Sequence, residues 1–229
     1  MTVRSPAILV MAKAPRAGRV KTRLASLLGQ GGCAHLQSVM LQRTVDVALQ
    51  VAPADTYVAF DPPGAAAEVG VLVPPAVSLL AQKGDHLGER LKAATEVVLA
   101  QGHDRVVVVG TDAPLLGEAQ LREAMALLGH GHDVVFGPAL DGGYYLVGVN
   151  GGLPDAYDID PALWGGPDVL CASLARAEEL GLRVGLLGAL RDLDTPADAA
   201  ALVSEPDLPD ALHDLLARAL GAPPGALVR

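Results

Sequence analysis

A short basic segment near the amino terminus carries the first candidate chemistry. It reads AKAPRAGRVKTRL, residues 12–24, and holds five Lys or Arg residues. Residues 1–45 contain seven Lys/Arg and no Asp or Glu, whereas the other 184 residues hold 10 Lys/Arg and 26 Asp/Glu. Gly18 allows a ligand to approach the backbone, and Lys and Arg side chains bind phosphate oxygens. We expect a phosphate or nucleotide site here; a solvated basic turn is the alternative.

Carboxylates in two later segments are candidate ligands for a divalent cation. Asp112 follows the apolar run 106–109 in VVVVGTDAP, and Asp194 lies in DLDTPAD, residues 192–198. Hard cations such as Mg²⁺ take oxygen ligands and bridge to phosphates. Each residue also has a purely structural explanation. Asp112 could cap the following helix or form a turn before Pro114. Asp194 or Thr195 could be the N-cap residue of the helix that starts at Pro196.

Two glycine-containing segments are further candidates for a binding site. QKGDHLGERL, residues 82–91, is either a substrate loop or the start of a helix. GPALDGGYYLVG, residues 137–148, contains Asp141 in an Asp-Gly-Gly sequence that is typical of a turn. The residues alone do not choose between these interpretations.

The hydrophobic pattern predicts the elements that must position these segments. Apolar runs predict strands at 7–11, 55–60, 77–81, 105–109, 133–137, 144–149 and 183–187. Helical spacing predicts helices at about 33–50, 88–100, 117–128, 167–180 and 209–220, and a short one from Pro196. Alternating strands and helices indicate an α/β domain around a mostly parallel sheet. The strands at 133–137 and 144–149 are too close for a crossover helix, so the sheet is expected to be mixed.

Composition excludes several classes of protein. A net charge of −9 and 3% aromatic residues argue against general nucleic-acid binding. Two cysteines exclude a disulfide framework and a four-cysteine zinc site. No apolar run approaches the ~20 residues of a membrane span. We expect one domain over residues 1–229, with a core at about 7–203, and a cytoplasmic location.

Taken together, the five segments resemble one family. AKAPRAGRVKTRL, QKGDHLGERL, GTDAPLL, GPALDGGYYLVG and DLDTPAD occur in the order typical of a bacterial glycosyltransferase-like family of the arsenosugar-biosynthesis type. That family is part of the nucleotide-diphospho-sugar transferase (GT-A) superfamily and is related to 2-phospho-lactate and molybdenum-cofactor guanylyltransferases. The resemblance implies a three-layer α/β/α fold with a mixed, mostly parallel sheet of about seven strands.

The same resemblance implies roles for individual residues. Lys21, Asp112 and Asp141 would be catalytic, with Asp141 near the acceptor, and Asp112 and Asp194 would hold Mg²⁺ or Mn²⁺. The nucleotide and its phosphates would be bound by Ala12, Lys13, Gly18, Arg19, Lys21, Arg23, Gly84, Asp85 and Thr111. The sequence departs from the family in two places. Thr111-Asp112-Ala113 offers one carboxylate instead of a D-x-D pair, and Trp164 is followed by Gly165-Gly166-Pro167 where relatives carry Ser or Thr.

Three functions are compatible with this pattern. The first is a metal-dependent transferase, a glycosyltransferase that takes a nucleotide sugar as donor and a small acceptor. The second is a nucleotidyltransferase that joins a nucleoside monophosphate to a phosphorylated small acid and releases pyrophosphate. The third is a nucleotide-binding protein without turnover.

Overall fold

The sheet contains seven strands, each built from a short apolar run. The structure is a computed structural model that describes residues 6–151 and 154–221. Unbroken β-branched and aliphatic stretches such as Val106–Val109 form the central strands, because both faces of the sheet are covered. The strands are β1 (Ala7–Lys13), β2 (Thr56–Asp61), β3 (Ser78–Ala81), β4 (Arg105–Val109), β5 (Val134–Pro138), β6 (Tyr144–Asn150) and β7 (Val184–Leu186).

The strand order is β3-β2-β1-β4-β6-β5-β7. β6 is antiparallel to both β4 and β5, and the remaining neighbours pair in parallel. Only residues 139–143 connect β5 to β6, which is too short for the crossover that a parallel pair requires. The predicted α/β fold with a mixed, mostly parallel sheet of about seven strands is confirmed.

Helices cover both faces of the sheet. They are α1 (Ala25–Val51, interrupted at Gly29), α2 (Ala66–Gly70), α3 (Leu87–Leu99), α4 (Glu118–Gly129), α5 (Val169–Glu179), α6 (Pro196–Leu202) and α7 (Asp210–Ala219). One buried cluster joins alternate strand residues, including Ile8 and Val10, to α1 and α4. The other joins Leu9 and its neighbours on the opposite face to α3 and α5.

A third apolar cluster lies beside the sheet and joins distant parts of the chain. Leu24, which ends a 3₁₀ turn at Thr22–Leu24, and Leu193 are both fully buried in it. Leu36 and Met40 of α1 contribute from one side, and α6 and α7 contribute from the other. This cluster therefore brings the basic segment and residues 192–194 to the same region of the molecule.

None of the helices in the described part of the chain is both long enough and apolar enough to cross a bilayer.

Candidate functional site

A cleft of about 570 Å³ opens at the carboxyl ends of β1 and β4. These adjacent parallel strands are the place where open α/β sheets bind ligands. Most of the polar lining comes from three segments that are far apart in sequence: the basic segment, the end of β4, and residues 82–90 before and within α3. The polar and charged lining residues include Lys13, Arg19, Lys21, Arg23, Gln37, Gln82, Asp85, His86, Arg90, Thr111, Asp112 and Asp194.

Lys21 connects the basic segment to two carboxylates. Its Nζ donates to Asp112 Oδ1, to Asp194 Oδ1 at 3.0 Å and to the Leu193 carbonyl oxygen at 2.9 Å. Its side chain is only 4% exposed. Burial opposes the charge on this ammonium, but the Asp112 and Asp194 carboxylates outweigh burial and raise the pKa of Lys21.

The backbone of Lys21 is unusual. Its φ and ψ angles are +48° and +37°, and no other non-glycine residue in the described ranges has a positive φ. A left-handed conformation costs a residue with a Cβ about 1–2 kcal/mol. The three contacts of the ammonium therefore hold a strained position, as is common at functional sites.

The hydrogen bonds around Asp194 show that its side chain does not cap α6. Thr195, not Asp194, caps α6: Thr195 Oγ1 accepts a hydrogen bond from the Asp198 amide, and Asp198 Oδ2 accepts one from the Thr195 amide. Asp194 instead accepts hydrogen bonds from Lys21 Nζ and from Nη2 of Arg23, whose side chain is 65% exposed. Its carboxylate is therefore directed to the cleft.

Asp112 is likewise free of a capping role. The amide of Gly117, which precedes α4, donates to Gln120 Oε1 at 2.9 Å. The cap at the start of that helix is therefore formed without Asp112. The side chain of Asp112 is 49% exposed in the cleft. Its neighbour Thr111 is buried and accepts a hydrogen bond from Gln37 Nε2 at 3.1 Å. α1 thus fixes the loop that presents Asp112.

The donor set fits a hard divalent cation. Asp112 Oδ1, Asp194 Oδ1 and the Leu193 carbonyl oxygen converge on one positively charged atom, Lys21 Nζ. Mg²⁺ is commonly held by one or two carboxylates, with water and substrate phosphates as its other ligands. Within residues 6–151 and 154–221, no group of three or more His, Cys, Asp or Glu side chains could hold a metal. An ion here would therefore depend on oxygens from water or a bound phosphate.

The residues predicted to bind nucleotide, to hold a metal or to act in catalysis separate into two groups. Ala12, Lys13, Arg19, Asp85 and Thr111 line the same cleft as Lys21, Arg23, Asp112 and Asp194. Gly18, Gly84 and Asp141 are outside its lining.

The three residues outside the lining have local contacts of their own. Gly18 borders a separate, smaller cavity with Cys33, and the carbonyl of Gly84 accepts a hydrogen bond from Arg90 Nε. Asp141 is exposed and accepts a hydrogen bond from the Gly143 amide. The roles predicted for Gly18, Gly84 and Asp141 stay predictions.

Two glutamines in the cleft wall were not predicted from the sequence. Gln37 Nε2 donates to Thr111 and to the Lys13 carbonyl, and Gln82 Nε2 donates to the carbonyls of Ala12 and Ala59. Both glutamines are buried. Their hydrogen bonds connect α1 to the ends of β1 and β4, and the residue after β3 to β1 and β2. For Gln37, the available signal was its position on the apolar face of a predicted helix, next to Leu36 and Met40.

A further carboxylate lies close to the metal-binding candidates. Oδ1 of Asp192 is buried and has no hydrogen-bond partner in the part of the chain that the structure describes. Burial raises the pKa of Asp192 to about 7, and repulsion from Asp112, Asp141 and Asp194 adds to the increase. Asp192 is therefore a less favourable place for a negative charge than Asp112 or Asp194.

The fold and the position of the cleft are those of enzymes that bind nucleotides at strand ends, and comparison with solved structures supports this class. A candidate nucleotide-diphospho-sugar transferase from Desulfovibrio desulfuricans G20 is 28% identical, with a TM-score of 0.80, over 94% of this chain and 95% of that chain. The architecture is that of the nucleotide-diphospho-sugar transferase superfamily. The comparison supports a transferase that uses a nucleotide-linked substrate.

The chain belongs to the family described as an uncharacterized protein conserved in bacteria (DUF2064), which matches residues 44–166. No curated protein sequence matches the chain. The resemblance to the superfamily is thus confirmed, and the arsenosugar-type subfamily stays a prediction.

Two more distant structures share the fold. A CMP:2-keto-3-deoxy-manno-octonic acid synthetase in complex with CTP is 16% identical, with a TM-score of 0.56, over 87% of this chain and 97% of that chain. Rv0371c from Mycobacterium tuberculosis H37Rv in complex with manganese is 17% identical, with a TM-score of 0.52, over 86% and 97% of the two chains. At these identities the likeness concerns the fold alone.

Proposed function

We propose that this protein is a metal-dependent glycosyltransferase that takes a nucleotide sugar as donor and a small molecule as acceptor. One observation carries the proposal: Lys21 and Arg23 of the basic segment meet Asp112 and Asp194 in a single cleft at the strand ends. Cations and carboxylates in this arrangement suit a diphosphate and a divalent ion bound side by side.

The residues of the cleft have distinct roles in this proposal. Asp112, Asp194 and the Leu193 carbonyl would hold Mg²⁺ or Mn²⁺, which would neutralise charge on the diphosphate leaving group when bound. Lys13 and Arg19, both exposed and lining the cleft, supply positive charge for the phosphates. The cleft volume of about 570 Å³ lies within the range usual for small-ligand sites.

In the transfer step, a nucleophilic atom of the acceptor forms a bond to the anomeric carbon of the sugar and gives up its proton to water. The bond from that carbon to the diphosphate oxygen breaks, and the nucleoside diphosphate leaves with the electron pair. Lys21 and Arg23 stabilise the developing negative charge, so the rate gain comes from positioning and electrostatics. Asp141, on the turn between β5 and β6, would act on the acceptor side.

Binding measurements test the donor class. Calorimetry with nucleoside diphosphates and nucleotide sugars, with and without Mn²⁺, should find at least one ligand whose affinity rises with the metal. Asp112→Asn should remove the metal dependence, whereas Asp46→Asn, an exposed substitution on α1, should retain it. If none of these ligands binds the wild-type protein under either condition, the proposal is wrong.

A nucleotidyltransferase is the second candidate, and one observation favours it. The two carboxylates come from two separate segments, residues 112 and 194, and not from a D-x-D pair. By resemblance, nucleotidyltransferases of this fold supply their second metal ligand from a later strand end. Product analysis separates the two: release of pyrophosphate from a nucleoside triphosphate would favour nucleotidyl transfer, and release of a nucleoside diphosphate from a nucleotide sugar would favour glycosyl transfer.

A further inference from the structure

Lys21 occupies the position that a divalent ion would take. Its Nζ is within hydrogen-bonding distance of Asp112 Oδ1, Asp194 Oδ1 and the Leu193 carbonyl oxygen, the three oxygens that form the candidate metal site. The side chain is 4% exposed, so the ammonium is enclosed with its partners. Between them, these contacts satisfy the three donors of the ammonium group.

A divalent ion and this ammonium cannot share the site. Two positive charges a few ångströms apart repel strongly, and repulsion is greater in a partly buried site than in bulk water. Each oxygen that a metal ion would coordinate is already accepting from Lys21. Entry of the ion therefore requires that the lysine side chain leave the carboxylates.

The displaced ammonium has a suitable destination in the same cleft. Lys21 belongs to the basic segment, and Lys13, Arg19 and Arg23 line the cleft around it. A lysine removed from its carboxylates needs a new anion, because an unpaired ammonium in a partly enclosed site is costly. A bound diphosphate supplies that anion.

We propose that Lys21 is the resident cation of the Asp112–Asp194 pair and moves to the ligand's phosphates when a divalent ion takes its place. Lys21 then has two alternative sets of partners. The ion frees the lysine for the phosphates, and the phosphates stabilise the lysine position that admits the ion. Metal and anion therefore strengthen each other's binding, by the same factor in both directions. The inference rests on the metal site of the proposed function.

Binding of Mn²⁺ alone gives the first test. Free Mn²⁺ is counted by electron paramagnetic resonance during titration of wild type, Lys21→Met and Arg19→Met. Lys21→Met removes the competing cation and should bind Mn²⁺ about tenfold more tightly or better. Arg19→Met removes the same charge from the same segment without freeing the carboxylates, so its gain should be much smaller. Equal or weaker binding by Lys21→Met than by wild type would overturn the exchange.

A second arm tests the transfer of the lysine to an anion. Sulfate serves as the probe because it is a tetrahedral dianion that associates only weakly with Mn²⁺. It should strengthen Mn²⁺ binding to the wild type about fivefold or more, and should have little effect on Lys21→Met. An equal effect of sulfate on both proteins would show simple charge neutralisation and would overturn the coupling through Lys21.

Two controls keep the outcomes separate. Lys21→Gln, with a polar side chain, repeats the test if thermal melting shows that Lys21→Met does not fold. Asp112→Asn should lose Mn²⁺ binding, both alone and when combined with Lys21→Met. If wild type and all variants fail to bind Mn²⁺, the metal site itself is wrong and the exchange falls with it. If wild type binds and Asp112→Asn does not, the metal site stands, and the Lys21 variants alone decide the exchange.

Discussion

Gln37 donates a hydrogen bond to Thr111 across the wall of the cleft, with 3.1 Å between Nε2 and Oγ1. The same amide group also donates to the Lys13 carbonyl. One buried side chain of α1 thereby fixes the end of β1 and the residue before Asp112. Gln37 therefore positions the loop that carries a candidate metal ligand.

Replacing Gln37 should weaken both stability and metal binding. Gln37→Met keeps a similar volume but leaves buried acceptors without a donor, which costs about 1–3 kcal/mol of the free energy of unfolding. Substitutions of residues that orient metal ligands commonly lower metal affinity about tenfold or more. Urea unfolding and Mn²⁺ titration measure the two effects. Gln42→Met, at an exposed position of the same helix, should change neither.

Asp192 should make stability depend on pH. Its pKa is raised to about 7 in the folded protein, mainly by burial, whereas the ordinary value is 3.8. The folded state therefore holds a proton that the unfolded state releases between these two values. Stability is accordingly lost as pH rises from about 4 to 7, by up to about 4 kcal/mol.

The variant Asp192→Asn tests this pH dependence. It should be more stable than wild type at pH 8 and close to wild type at pH 4.5, because Asn stays neutral at both values. Urea unfolding in the presence of a chelator gives the comparison. Asp46→Asn, an exposed carboxylate on α1, should leave the pH profile unchanged. A wild-type profile that rises between pH 5 and 8 together with an unchanged Asp192→Asn profile would contradict the burial argument.

Loss of the cap on α6 should destabilise the segment that carries Asp194. Thr195 Oγ1 accepts from the Asp198 amide at 3.2 Å, and Asp198 Oδ2 accepts from the Thr195 amide at 2.9 Å. Thr195→Ala removes the first bond and should cost about 0.5–2 kcal/mol in urea unfolding. Thr195→Ser keeps the hydroxyl and should retain most of the stability. Similar losses for both variants would point to the methyl group instead of the cap.

The turn between β5 and β6 should not tolerate a side chain at Gly142. Its φ is +95°, and an added Cβ would lie 1.9 Å from the carbonyl oxygen of Pro167. Gly165 makes a matched control, because its φ is +83° but no atom lies within 4 Å of an added Cβ. Gly165→Ala should cost about 1–3 kcal/mol from backbone strain alone.

Gly142→Ala should cost clearly more than Gly165→Ala, because strain and collision add. Thermal unfolding of the two variants side by side measures the difference. The Leu170 amide donates to the Gly142 carbonyl at 3.0 Å, which indicates that the turn and the segment after Pro167 are held together. Equal melting temperatures of the two variants would contradict this, because they would mean that the Pro167 segment moves aside at little cost.

Local patterns in the sequence predicted the seven strands, the fold class and all described helices except α2, although α1 begins at Ala25, before the predicted start near residue 33. Runs such as Val106–Val109 indicate strands covered on both faces, and the short connection between the predicted strands at 133–137 and 144–149 predicts a mixed sheet. The basic segment and Asp112 were recognisable because each follows an apolar strand, and parallel strand ends share one edge of a sheet.

Other features depended on contacts between residues far apart in the chain. Lys21 and Asp194 are separated by 173 positions, and their contact requires Leu24 and Leu193 to be buried in the same cluster with α1, α6 and α7. Sequence spacing also left open whether Asp194 or Thr195 caps α6. The hydrogen bonds of the folded chain give that role to Thr195 and leave Asp194 to the cations.

The sequence alone therefore determined which residues could bind phosphate or metal, because charge and strand ends are local properties. Only the tertiary structure decided that Lys21 pairs with both Asp112 and Asp194 and that Gln37 bonds to Thr111, the residue before Asp112. It also decided that Gly18, Gly84 and Asp141 lie outside the cleft lining. These facts follow from side-chain packing among α1, β4 and the segment before α6, and packing between distant segments leaves no periodic signal in a sequence.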